Sequence, residues 1–168
     1  MDAPLPTTGD GPSSIRYRLP KNVVARTDSV VIMNDRGEIS FLIDIEHDLV
    51  RISDLAGQPK CQFSGRALQL GHTVHFDDSS GTTRAVLHRS ERSPIRNHFA
   101  IETERGSWII EGQVAAYEYW MHSAEGGVAE VSCRWFRVRD TYGVQVSPRQ
   151  PCALVLAAAI CLDIATAG

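Results

Sequence analysis

The stretch Pro151-Cys152-Ala153-Leu154-Val155-Leu156-Ala157-Ala158-Ala159-Ile160-Cys161-Leu162-Asp163-Ile164-Ala165 is apolar on every side of a helical wheel, whereas the residues before it alternate apolar and polar as strands do. A helix without a polar face belongs inside a core or a bilayer. The uninterrupted apolar run, Cys152 to Leu162, is shorter than the roughly 17 to 25 residues that cross a membrane. The spacing therefore predicts a helix over 151–165 covered on all sides by the rest of the chain. Pro151 suits the first turn, where its missing N–H costs nothing. Asp163 falls near the C-terminal end, where the helix dipole disfavours a carboxylate, so an internal hydrogen-bonding partner is expected for it.

Working back from the helix, one local plan repeats: alternating apolar residues run into a Gly/Asp/Asn turn and then alternate again. Val30, Ile32 and Phe41, Ile43, Ile45 flank Asn34-Asp35-Arg36-Gly37, and Val50, Ile52 and Cys61, Phe63 flank Asp54-Leu55-Ala56-Gly57-Gln58. The plan recurs around Asp77 to Gly81, Glu102 to Gly106 and Glu125 to Gly127. Five hairpins and their flanking strands predict ten to twelve strands. Strands paired to sequence neighbours leave open edges unless the sheet closes, and closure around the helix removes them. The fold class read from the chain is mainly β: a closed antiparallel barrel of about twelve strands enclosing one hydrophobic C-terminal helix.

A chain of 168 residues, 43% hydrophobic and 22% charged, fits one globular domain with no room for a second. Residues 1–14, rich in proline, glycine and acids, read as a disordered tail, which leaves 15–168 as the domain. A net charge of −3 argues against a protein that neutralises nucleic-acid phosphates, so any anion site must be local. Lysine occurs only at Lys21 and Lys60, a bias that reads as GC-rich, bacterial coding. Cys61, Cys133, Cys152 and Cys161 form no C-x-x-C pair, which with the absence of a secretion signal predicts a reducing, cytoplasmic setting.

The stretch Val128-Ala129-Glu130-Val131-Ser132-Cys133-Arg134-Trp135-Phe136-Arg137-Val138-Arg139-Asp140-Thr141-Tyr142-Gly143-Val144-Gln145-Val146 resembles the LURF-one-related family, whose members carry a "vAeVs…W…RDTYgV.v" segment followed by an apolar helix ending near an aspartate. Leu49-Val50-Arg51-Ile52-Ser53-Asp54-Leu55-Ala56-Gly57 is similar to the family's early "lrIrDl.G" hairpin. The similarity runs over roughly residues 16 to 165. It implies the tubby C-terminal-like fold, a twelve-stranded barrel around one hydrophobic C-terminal helix. Distant relatives of that fold include the phosphoinositide-binding tubby proteins and the phospholipid scramblases. The basic residues of the first have no counterparts here, and neither the palmitoylation segment nor the calcium-binding stretch of the second is present.

Chemistry-bearing residues are sparse. His72 and His75 sit at an odd spacing that sends them to opposite faces of a strand, and His47, His88, His98 and His122 show no zinc spacing. Cys152 and Cys161 lie about 180° apart around the helix. No metal site, cofactor or catalytic residue is therefore expected. No G-x-S-x-G elbow, S-x-x-K motif or P-loop occurs in the chain. Asp44, Glu46 and Asp48 share one strand face in alternation and read as a solvated row.

One segment departs from the acidic whole: Arg84, Arg89, Arg92 and Arg96 stand against the single acid Glu91. Alternation puts Arg84, Val86 and His88 on one side of a strand and Arg96 and His98 on one side of the next, with Arg89 and Arg92 hanging from the loop at Ser93-Pro94. These four arginines form the candidate anion-binding set, able to hold phosphates through bidentate hydrogen bonds. In a second basic cluster, Arg134, Arg137 and Arg139, the neighbours Trp135 and Tyr142 are assigned to packing, and Arg139 and Asp140 to a turn or ion pair.

The function expected is a non-enzymatic, cytoplasmic binding or scaffold domain that engages an unknown protein partner or an anionic membrane surface, the latter implying peripheral attachment at the inner membrane. No nucleic acid and no transmembrane segment are expected. A scramblase-like lipid-handling protein and an enzyme with an unrecognised pocket are the alternatives.

Overall fold

A computed structural model of the chain describes residues 14–26, 30–67, 73–89 and 99–166. The tail expected over 1–14 lies outside these residues except for Ser14, which leads straight into the first strand.

Twelve strands precede one helix: β1 Ile15–Pro20, β2 Val30–Asn34, β3 Ile39–Glu46, β4 Leu49–Ser53, β5 Pro59–Ser64, β6 Val74–Asp77, β7 Thr83–Arg89, β8 Phe99–Thr103, β9 Gly106–Gln113, β10 Glu118–Ser123, β11 Gly126–Ser132, β12 Thr141–Val146 and α1 Cys152–Thr166. Every strand pairs antiparallel with its sequence neighbours, and β1 closes the barrel on β12 in a register running from Ile15 opposite Val146 to Pro20 opposite Thr141. Closure leaves no edge strand to template aggregation. The seam between β5 and β6 is thin, joined by the single bridge Gln62–Asp77 among the described residues.

Three hairpins use the same turn chemistry. In Asn34-Asp35-Arg36-Gly37, Asp54-Leu55-Ala56-Gly57 and Asp78-Ser79-Ser80-Gly81 the first side chain accepts hydrogen bonds from the amides two and four residues on, at 2.9 to 3.1 Å. The fourth residue has φ between +79° and +87°, which glycine adopts without a Cβ clash. Each turn is followed by a register shift that the extra residue creates. One reversal escaped the glycine signal: between β3 and β4 the chain turns at His47, a non-glycine residue at φ 57°.

Side chains facing inward along the strands, among them Ile32, Ile43, Ile52, Phe63, Phe76, Leu87, Ile101 and Val144, are buried and meet a helix buried from Val155 through Ile164. Burying a leucine or isoleucine contributes about 2 kcal/mol, and the run of three alanines lets the wall approach the helix backbone. The helix begins at Cys152 rather than Pro151, whose carbonyl accepts the first helical hydrogen bond from the Val155 amide at 3.0 Å. No helix among the described residues is long and apolar enough to cross a membrane.

The segment carrying the family resemblance folds as β11, a loop and β12. Trp135 and Phe136 lie against the backbone of Gly143, where a Cβ would sit 2.7 Å from the Trp135 ring, and Arg16 stacks 4.3 Å from that ring. Tyr142 is buried, as its packing role requires. Asp140 holds φ 58°, its carbonyl accepts the Lys21 amide at 2.9 Å, and its ion pair with Arg139 is long and exposed.

Candidate functional site

The two ends of the barrel differ. At the C-terminal end of α1, Asp163 is only 4% exposed, and its carboxylate accepts hydrogen bonds from the Tyr117 hydroxyl at 2.6 Å and the Asn22 amide at 2.8 Å. Both donors come from tight left-handed corners, Asn22 at φ 52° and Tyr117 at φ 57°, which close this end beside two short 3-10 turns. Burial raises the Asp163 carboxyl above its ordinary range, opposed by these two donors and by Lys21. The internal partner expected for this aspartate is thus a pair of donors. Beside it the Tyr142 hydroxyl is buried with no hydrogen-bond partner among the described residues, and the Tyr117 and Tyr142 rings pack with centroids 4.8 Å apart.

At the other end the barrel stays open. A cavity of about 720 Å³ lies over the first turn of α1, in the size range of small-molecule sites. Its floor is apolar, made by Phe41, Phe76, Trp108, Ala153 and Leu154. Its rim carries Lys60, Arg84, Arg105 and Arg149 against Asp77, Asp78, Glu104 and Glu125, four charges of each sign. The β4–β5, β6–β7, β8–β9 and β10–β11 ends and the loop into the helix supply these residues, so the site is assembled by closure from positions far apart in the chain.

Several rim charges satisfy one another. Arg84 Nε donates to Asp78 at 2.7 Å and Nη1 to Glu104 at 2.8 Å. The Ser80 hydroxyl and Arg84 hold the Asp78 carboxyl well below the usual range, and the two carboxylates push Arg84 up. The Thr83 hydroxyl donates to Asp77 at 2.7 Å, and Lys60 lies 3.6 Å from Asp54. Arg105 and Arg149 are exposed and have no ion pair among the described residues. Below the rim, burial and then the nearby Asp77 and Asp78 charges push the Cys61 thiol up to about 12, away from reactivity.

The candidate arginine set does not converge as one group. Arg84 and Arg89 terminate opposite halves of β7, about 17 Å apart at the rise of a strand. Arg84 belongs to the open mouth, where two carboxylates engage it, and Arg89 to the opposite end, over the Phe99 ring at 5.1 Å. Arg92 and Arg96 lie outside the described residues, as do His72 and His98. Alternation correctly puts Arg84, Val86 and His88 outward, while Ala85 and Leu87 point in. His88 meets Glu102 at 3.2 Å and His122 meets Glu111 at 2.9 Å on the outer wall. Asp44 and Glu46 face outward on β3, but Asp48 sits in the next turn and accepts from Ser64 at 2.9 Å. The sequence reading missed Arg105 and Arg149; each is an isolated arginine in its own turn, without a local charge excess to mark it.

The model of the family described as LURP-one-related matches residues 19–163. The chain belongs to that family. The sequence resemblance to the family spelled LURF-one-related is to this family, and the match runs from the end of β1 through the other strands and the Trp135 loop to Asp163 in the helix. A crystal structure of a protein from Arabidopsis thaliana is similar over 90% of this chain and 91% of its own, with 15% identity and a TM-score of 0.65. At that identity the likeness speaks for the barrel alone. No curated protein matches the chain.

Proposed function

We propose that this LURP-one-related chain is a non-enzymatic binding domain, a tubby-like barrel that presents an open mouth to a partner bearing an anionic group. The single observation that carries the reading is the mouth cavity: a rigid, closed wall ends in a concave site with an apolar floor and two uncommitted arginines. Proton-transfer catalysis calls for a group poised near neutral pH. The mouth groups with displaced values move the other way, Asp78 downward and Arg84 upward on the rim and the buried Cys61 below it to about 12. That favours a framework over an acid/base pair. The four free cysteines suit a reducing cytoplasm, and a membrane partner would make the protein peripheral at the inner surface.

The anionic partner is read as a phospholipid headgroup first, with an acidic protein surface as the other form of the same reading. Cosedimentation with phosphatidylserine and with phosphatidylcholine vesicles at low and high salt tests it. Binding to the anionic vesicles alone, falling with salt, is expected. Replacing Arg105 and Arg149 at the mouth by serine is expected to weaken it roughly thirtyfold, at about 1 kcal/mol for each arginine near an anionic surface. Equal binding to both vesicle types, or to neither, removes the headgroup and leaves the acidic protein partner. Lipid exchange between leaflets on addition of the protein would favour the scramblase-like alternative.

A further inference from the structure

Resting on the binding-domain reading, we infer that the mouth cavity is a site for a small amphiphilic acid: an aromatic or branched apolar body bearing one anionic group. The body's place is fixed by the floor. Phe41, Ala153 and Leu154 are half-buried and turn apolar surface into the mouth above the buried rings of Phe76 and Trp108, and the alanine at 153 leaves the space above the helix unfilled. Apolar surface of this kind gains by covering, at about 25 cal/mol per Å².

The charge limit comes from the rim. Four cations against four anions leave the mouth without the net positive charge that would draw a polyphosphate. Arg84 is held by Asp78 and Glu104, and Lys60 faces Asp54. Arg105, on the β8–β9 turn, and Arg149, on the loop into α1, are the rim guanidiniums left with no carboxylate at ion-pair distance among the described residues. Each offers a planar fork suited to a carboxylate, sulfonate or phosphate monoester. A ligand with its apolar end on Phe41 and Leu154 and its anion at the rim satisfies both halves of the site. A multiply charged group brings added charge against Glu125, Asp77 and Glu104.

Two fluorescent probes separate the halves. 8-Anilinonaphthalene-1-sulfonate has an aromatic body and one sulfonate; N-phenyl-1-naphthylamine has the same body without the charge. The folded chain is expected to bind one equivalent of the sulfonate saturably, with energy transfer from Trp108, and the neutral probe more weakly. Arg105→Ser with Arg149→Ser is expected to weaken the sulfonate about tenfold and to leave the neutral probe within about twofold. Ala153→Trp, which fills the floor, is expected to abolish both. Should that variant fail to keep the wild-type melting temperature, the arginine double variant, with both changes exposed, decides alone. Non-saturable binding, displacement of the sulfonate by inorganic pyrophosphate, or an undiminished double variant would overturn the inference. Vesicle binding that persists through any of these results would leave the binding-domain reading standing without this site.

Discussion

Asp163 brings a carboxylate into the core at the end of a helix whose dipole opposes it, and the chain answers with two donors from separate corners of the barrel, one after β1 and one before β10. Asp163→Ala would leave the Tyr117 hydroxyl and the Asn22 amide without their acceptor, beside a Tyr142 hydroxyl that already lacks a partner among the described residues. A loss of about 2 kcal/mol or more is expected in urea denaturation, against a much smaller loss for Asp163→Asn, which keeps an acceptor oxygen. The carboxyl is raised above its ordinary 3.8, burial being the largest cause. Between 3.8 and that higher value the folded chain holds a proton that the unfolded chain has released. The contribution of Asp163 is therefore largest below 3.8 and declines as pH rises through the folded value. The stability of wild type relative to Asp163→Asn is expected to increase on going from about pH 7 to about pH 4. A difference independent of pH would contradict the raised carboxyl. That Asp163 needed a partner was legible in its position. Which residues supply the donors was not, because Asn22 and Tyr117 reach it only through corners whose left-handed backbone carries no glycine signal.

At the scale of elements, α1 and the hairpins were legible for different reasons. The helix announces itself because no other placement covers an all-round apolar face, and the three matched turns because an Asn or Asp followed three residues later by Gly is what their hydrogen bonds require. Substituting within α1 tests the first point. Leu156→Asp or Ala158→Asp places an unpaired charge where the side chain is fully buried, at a cost comparable to the stability of a whole domain. Loss of the cooperative thermal transition is expected, and a wild-type melting temperature for Leu156→Asp would refute the central helix. Gly143→Ala probes the family segment: a Cβ there collides with Trp135 and Phe136. A loss of about 1 to 3 kcal/mol is expected, with a red shift in tryptophan emission as Trp135 is displaced. Unaltered emission would mean the ring does not rest on that backbone. The arginine set shows where element-level reading fails. Charge density along a sequence does not register that a strand delivers its two ends to opposite mouths, nor that Asp78 and Glu104 reach Arg84 from neighbouring turns.

For the whole molecule, closure decides what kind of surface the protein offers. With every strand paired and the interior filled by α1, binding is left to the ends and the outer wall. One end is shut by the Asp163 network and the other carries the cavity. That cavity could not be read from the chain, since Phe41, Trp108 and Arg149 meet only after β1 pairs with β12. The central claim is that α1 is the interior of a closed barrel, and amide hydrogen exchange on the intact chain tests it most directly. The amides from Val155 to Ile164 are expected to exchange only through global unfolding, at the slowest rate in the molecule and with a free energy equal to that from denaturant melting. Exchange of those amides at the rate of a helix in contact with solvent, while the strands remain protected, would contradict the account.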